Sequence, residues 1–437
     1  MGHQKMLVGM LMVALAISWC AVTVKADKEK GGEVEESERL FMLEESKHVV
    51  KTEFGEVRVI AGPKLERDKA SMHIGFISME PNALFIPQYI DASLILFVRR
   101  GEVKVGWIYK DDYVEKKLKM GDINYIPAGS AFYMVNTGIG QRLQIICSID
   151  ASQTIGFNSY HTTPEELVKV MTSRVEGPIV STAGKAEEPP LKFMLMKLKK
   201  MNERRHRDNE EDEDEWYRET EREESGGGVW TWRKMLGSLL NKGKGKGKGK
   251  GKDPVRAPDS YNLYDREPDY KNNFGWSLAL DEYDYAPLKH SDFGVYLVNL
   301  TAGSMLAPHV NPRATEFGVV LEGSGRVQVV FPNGTTAMNV KVSEGDVFWV
   351  PRYFPFCHIA SRGGPMEFFG FTTSARRNRP QFLAGARSLL RTMLGPELAA
   401  GFGVNENRLK RMLEAQKESL FLPAWPSKEE VLTREVV

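Results

Sequence analysis

Residues 94–107, LILFVRRGEVKVGW, and residues 317–331, FGVVLEGSGRVQVVF, are one element written twice. Each is an apolar run that reaches a glycine, Gly101 or Gly323, and continues as a strand of alternating side chains. That pattern predicts a hairpin turned at the glycine. A second element follows each copy: GDINYIP from Gly121 to Pro127, and GDVFWVP from Gly345 to Pro351. Both halves then close with an apolar strand, Leu143 to Ile149 and Met366 to Thr372. Short strands separated by turn glycines at even spacing predict antiparallel barrels or jelly rolls, with polar side chains outward and Val, Ile, Leu and Phe inward. The expected fold class is mainly β: two tandem jelly-roll barrels, each followed by a short helical extension.

Between and beyond the repeats the pattern changes. Thr163 to Met171 opens with Thr, Pro and two glutamates, the signature of a helix start. Arg387 to Met393, Pro396 to Ala400 and Asn405 to Gln416 also read as helices, punctuated by Gly395 and Gly403. From 183 to 252 there is almost no β pattern. Seven carboxylates fill the eight positions from Asp208 to Glu215, and lysine alternates with glycine from Lys242 to Lys252. Charge repulsion and glycine entropy predict a disordered linker there. At the start, an apolar stretch from Met6 to Val24 after Lys5, ending in Val24-Lys25-Ala26, predicts a secretory signal peptide over 1–26; an uncleaved anchor is the competing interpretation. The expected organisation is 1–26 signal, 40–182 first barrel plus helices, 183–252 linker and 256–437 second barrel plus helices.

Composition excludes several classes of function. With 59 basic against 58 acidic residues, no single-signed field covers the 437-residue chain, so nucleic-acid binding is disfavoured. Cys20, Cys147 and Cys357 are too few for a disulfide framework and lack CxxC spacing. No GxSxG, HExxH or GxxxxGK[ST] motif occurs. Cys147 lies in an apolar strand, and Cys357 points away from its neighbour His358 if both sit on a strand. Asn299 and Asn333 head Asn-x-Thr triplets and are candidate glycosylation sites.

The segment Gly121 to Asn136, with its glycines, Pro127 and closing Asn, and the set His309, Asn311, Glu316 and Gly323 resemble the two cupin motifs. The tandem arrangement, the charged insertion, the helices and the stretches YNLYDREPDY at 261–270 and APHVNPRATE at 307–316 are similar to plant vicilin-like 7S seed storage globulins. The resemblance covers the chain from about Leu40 to Leu422. It implies a bicupin that assembles as a homo-oligomer, a trimer clasped through the helical extensions. It also implies passage through the secretory pathway to a protein storage vacuole, with an extracellular location as the alternative, and no stable membrane association once the signal is removed.

Metal-dependent cupins hold their ion with two histidines one residue apart, a glutamate and a later histidine. Carried onto the first barrel, those positions fall on Pro87, Tyr89, Leu94 and Phe132, which offer no ligand set. In the second they fall on His309, Asn311, Glu316 and Phe356, with His358 two residues further along the strand. No cofactor and no catalysis are therefore expected. His309, Asn311, Glu316 and His358 form the candidate site for a divalent metal (copper, zinc or manganese) or a small ligand. The resemblance implies a nutrient reservoir accumulated and later digested; the alternative is a binding module built on the second barrel. Asn and Gln number 25 among the 437 residues, which is no enrichment in amide nitrogen.

Overall fold

A computed structural model describes residues 39–63, 72–90, 92–109, 112–150, 178–181, 191–192, 195–196 and 259–423. The signal, the helix expected at Thr163 to Met171 and nearly all of the linker lie outside the described residues. The first barrel begins with β1 (Ser46–Thr52), β2 (Gly55–Ile60), β3 (Met72–Met79), β4 (Ala83–Ile90), β5 (Ser93–Arg100) and β6 (Glu102–Tyr109). It continues with β7 (Asp112–Lys119), β8 (Asp122–Ile126), β9 (Ser130–Asn136), β10 (Leu143–Asp150) and β11 (Ile179–Ser181). With β12 (Tyr261–Asn262), these form a sheet of order β1-β2-β3-β10-β5-β8-β12 facing one of order β11-β4-β9-β6-β7.

The second barrel repeats the plan. Its strands are β13 (Tyr270–Asn272), β14 (Gly275–Leu280), β15 (Gly294–Leu300), β16 (Met305–Val310), β17 (Glu316–Val330), β18 (Thr336–Ser343) and β19 (Val347–Val350). They are followed by β20 (Pro355–Ala360), β21 (Met366–Thr372), β22 (Gln381–Phe382) and β23 (Phe421–Leu422).

The expected hairpins are not hairpins. β5 pairs with β10 and β8, whereas β6 pairs with β9 and β7. In the second barrel the two halves are one bent strand: the start of β17 pairs with β19 and β21, and its end pairs with β18 and β20. Gly101 (φ 90°) and Gly323 (φ 78°) therefore turn a corner between sheets and do not reverse the chain. A Cβ on Gly323 would lie 1.9 Å from the Pro365 carbonyl oxygen, so only glycine fits that corner.

The expectation of one apolar face per strand also needs correcting. Even-numbered residues of β5, such as Leu94, Leu96 and Val98, fill the first barrel's interior. The odd-numbered Ile95 and Phe97 join Ile74, Ile123 and Ile146 in a core shared with Leu297, Phe317, Val319, Phe369 and Phe371 of the second barrel. Phe97 stacks on Phe369 with ring centroids 4.0 Å apart and planes 10° apart.

Reciprocal straps reinforce this contact. The segment before the first barrel crosses to the second: Leu43 N–H donates to the Val347 carbonyl (2.8 Å), and Trp349 N–H donates to that of Phe41 (2.9 Å). Phe41 is buried edge-on against Trp349 and Phe354. In return, β12 pairs with β8, and Leu263 N–H donates to the Gly121 carbonyl (2.9 Å). Strands β8 and β19 are counterparts, so each barrel's exposed edge is covered by the segment leading into the other.

Three α-helices lie between β22 and β23: α1 (Leu389–Thr392), α2 (Pro396–Gly401) and α3 (Glu406–Ala415), as the sequence predicts to within two residues. The Asn405 side chain accepts from Arg408 N–H at 2.8 Å and caps α3. Leu191 and Leu195, which composition assigns to the linker, are buried with Leu84, Ile86 and Tyr133 on the outside of the first barrel. Charge dominates that segment's average and hides two apolar anchors near its start.

The straps predict that cleavage at a protease site inserted between positions 197 and 258 leaves both halves in one native particle. Co-elution in size exclusion with separation only in denaturant is the expected result, and native separation contradicts it. Phe41→Ala should cost about 3 kcal/mol, as for other buried aromatic truncations, read by denaturant titration.

Candidate functional site

The second barrel's interior is built on β16, β17 and β20. Pro308 lies where the register of β16 slips between Leu306 and His309, which sets His309 opposite Phe356 on β20. Proline suits such a bulge because it has no N–H to give to the ladder. Glu316 opens β17 opposite Val350 and Thr372. His309, Asn311, Glu316 and His358 are all buried.

Each of the four has a defined environment. His309 Nδ1–H donates to the Ala307 carbonyl at 2.8 Å, which fixes the tautomer and leaves Nε2 as the acceptor. Its ring centroid lies 4.1 Å from that of Phe356 and 6.5 Å from that of His358. Asn311 is a turn residue: its Oδ1 accepts from the N–H groups of Arg313 and Ala314, both at 3.0 Å, and its Nδ2 donates to Glu316 Oε1 at 2.7 Å. His358 is boxed by Phe348, Phe356 and Phe368, with centroids at 5.0, 5.4 and 4.4 Å, and neither ring nitrogen has a protein partner. Cys357 points the other way, its thiol directed at Gln328 Oε1 at 3.7 Å.

Burial governs the protonation of this interior. It pushes the Glu316 carboxyl up to about 7, against the Asn311 hydrogen bond that favours the anion. It pulls His309 down to about 4, opposed by the Ala307 carbonyl. His358 is held well below the usual imidazole range, first by burial and then by His309. Near neutral pH the imidazoles are uncharged, and the carboxyl is poised between its two forms.

These residues do not fit a metal ion. The Asn311 oxygen that would ligate is occupied by two backbone N–H groups. Glu316 is tied to Asn311, and Phe356 packs on His309 where a third imidazole would stand. Among the described residues, no group of three His, Cys, Asp or Glu side chains could hold a metal. The arrangement can instead offer hydrogen bonds to a small molecule. A cavity of about 810 Å³ reaches His309, Glu316 and His358, and its lining also includes Arg376, Arg377 and Arg387.

The first barrel corrects the expected alignment by one residue. Its β4 slips register between Phe85 and Gln88, so Gln88 stands opposite Phe132 as His309 stands opposite Phe356. Pro87 therefore matches Pro308, and Gln88 takes the first ligand position. The shared proline before each residue was the sequence signal for this register. The side chain of Tyr89 lies outside the described residues. Leu94 and Phe132 are interior, as expected. Of the two Asn-x-Thr triplets, Asn333 is exposed in the turn between β17 and β18. Asn299 is half-buried on β15 and donates to Glu367 at 3.0 Å.

Comparison with known proteins agrees with the architecture. The cupin family matches residues 41–172 and 261–410. The chain is 48% identical over 417 residues to a vicilin-like seed storage protein of Arabidopsis thaliana, covering 88% of this chain and 80% of that protein. It is 24% identical over 383 residues to β-conglycinin β subunit 1 of Glycine max, covering 84% and 82%. Vicilin of hazelnut, Corylus avellana, superposes with a TM-score of 0.64 at 20% identity over 88% of this chain and 99% of that one. A vicilin of Solanum melongena, in which different anionic ligands occupy structurally similar pockets, gives 0.65 at 17% identity over 91% and 100%. Two cupin matches spanning both barrels, joined by near-half identity along most of the length, settle the family: the chain belongs to the vicilin-like seed storage globulins of the cupin superfamily.

Proposed function

We propose that this chain is a seed storage globulin, a nutrient reservoir that is accumulated and later digested, and that it is not an enzyme. The observation that carries this reading is its 48% identity to a vicilin-like seed storage protein over 88% of the chain. The fused, strapped barrels give a durable particle, and in the second barrel Asn311 is spent on a turn while His309 and His358 pack on aromatic rings. Residues 1–26 would deliver the chain to the secretory pathway and from there to the storage vacuole. Accumulation in maturing seed followed by loss on germination is the expected outcome of immunoblotting a time course. Constant abundance through germination would contradict storage.

Assembly would be a homotrimer through the helical extension. Leu398 and Leu409 seal α2 against α3, while Leu389, Met393, Phe402 and Met412 stay exposed in the single chain. Such a cluster suits burial against a second copy. Met393→Asp combined with Phe402→Asp should give monomers by analytical ultracentrifugation; persistence of trimers would place the contact elsewhere. Glycan is expected on Asn333 and not on Asn299, because the transferase needs an extended, accessible amide. Glycopeptide mass spectrometry showing occupied Asn299 would contradict that assignment.

A second reading is favoured by one feature, the arginine-lined cavity of the second barrel: a binding module for a small carboxylate. Arg266 in the same lining is already paired with Asp269 and Asp284, so Arg376, Arg377 and Arg387 supply the positive charge. A protonated Glu316 leaves the floor uncharged, whereas its anion repels the ligand. Acetate binding should therefore weaken as pH rises through about 7 in the native protein but not in Glu316→Gln. The same shift bears on stability. A folded-state value above the unfolded one means that the native state holds its proton longer, so stability falls as pH rises from about 4.5 towards 7. Glu316→Gln should lose less over that interval, by at most about 3 kcal/mol. The two histidines act oppositely, lowering stability as pH falls below 6.5. Parallel melting curves of the two proteins across pH 5 to 8 would contradict this assignment.

A further inference from the structure

The first barrel's interior is not uniformly apolar. Gln88, Phe132 and Trp107 form one cross-strand row on β4, β9 and β6. The corresponding row in the second barrel is His309, Phe356 and Val329. On the facing sheet, Asn124 pairs with Leu96 where Phe348 pairs with Gly318. Two positions that are hydrocarbon in one barrel are thus an indole and a carboxamide in the other. Ile126 and Leu96, the neighbours of Asn124 in parity and in pairing, both belong to the interior core, as do Trp107 and Phe132.

These polar atoms find no partner in the protein. Gln88 Nε2, Trp107 Nε1 and both Asn124 side-chain heteroatoms are buried without a protein hydrogen bond. Trp107 and Asn124 are each 1% exposed. An unmet buried donor or acceptor costs about 1–3 kcal/mol, so an apolar row like that of the second barrel would be the more stable choice in the absence of an occupant. We infer that the first barrel carries its own binding site, formed by Gln88, Trp107 and Asn124, for a small uncharged amide or carbonyl compound.

The chemistry follows from the inventory. Three donor nitrogens and one carbonyl acceptor face inward, which matches a small compound that both accepts and donates hydrogen bonds, as a carboxamide does. Among the described residues the buried charged side chains of this half are the carboxylates Asp122 and Asp150, and no lysine or arginine is buried with them, so an anionic ligand would lack a counter-charge. The site therefore differs in kind from the arginine-lined cavity of the second barrel. Gln88 is partly exposed and marks the wall nearest solvent.

Acetamide is the probe. Equilibrium dialysis of the full chain should show one saturable equivalent, weakened at least tenfold by Asn124→Leu and by Trp107→Phe. His309→Phe in the other barrel should leave it unchanged. Circular dichroism keeps the test decisive by confirming that the variants fold, and Asn124→Leu is expected to melt no lower than the native protein. Crystals grown with acetamide should show it on Gln88, Trp107 and Asn124. Density for water alone at those atoms, acetamide binding undiminished in both variants, or equally tight binding of acetate ion would each overturn the assignment.

Discussion

The contact between the two barrels is the constraint on which the rest of the structure depends. Phe97 lies flat on Phe369, with aliphatic side chains of both sheets around the pair. Burying a phenylalanine contributes about 1.5–3 kcal/mol, and a stacked pair adds about 0.5–1.5 kcal/mol. Neither barrel could present that face to water without a large exposed patch. The sheet containing β5, β8 and β10 is therefore apolar on both sides, a composition expected of a buried sheet and unusual for a free jelly roll. The straps extend the same logic to the edges, where Phe41 and Leu263 close strands that would otherwise offer open backbone to other chains.

Within that frame the two interiors have diverged. Both keep the proline-marked bulge and the phenylalanine at Phe132 or Phe356 that fills the place of a third ligand. The second barrel keeps His309 and Glu316 but surrounds them with aromatic rings and turns Asn311 to the backbone, so a ligand-like set serves as packing around a cavity. The first has Gln88 and Leu94 at the positions of His309 and Glu316, and Trp107 and Asn124 where the second has Val329 and Phe348. Repetition of a fold does not carry repetition of a site.

Much of this was legible in the sequence. The repeated glycines, the Gly-to-Pro segments and the closing strands fixed two barrels with their strands nearly in place, and Gly395 and Gly403 marked the divisions between the last helices. What escaped depends on long-range contact. Whether Gly101 reverses the chain or bends it into the second sheet is decided by partners on β8, β9 and β10, not by the local pattern. The one-residue offset between Pro87 and Gln88 arises from a bulge, and a slip of one residue exchanges inside for outside. Leu191 and Leu195 were masked by surrounding charge. The straps read as ordinary flanking residues, because their partners lie in the other half of the chain.

In the second barrel, aromatic packing and a backbone turn occupy the positions at which metal-dependent cupins hold their ion. Elemental mass spectrometry of native protein purified from seed without chelators tests it most directly. The structure predicts copper, zinc and manganese far below one equivalent per chain. Stoichiometric metal that is lost on His309→Ala would contradict it.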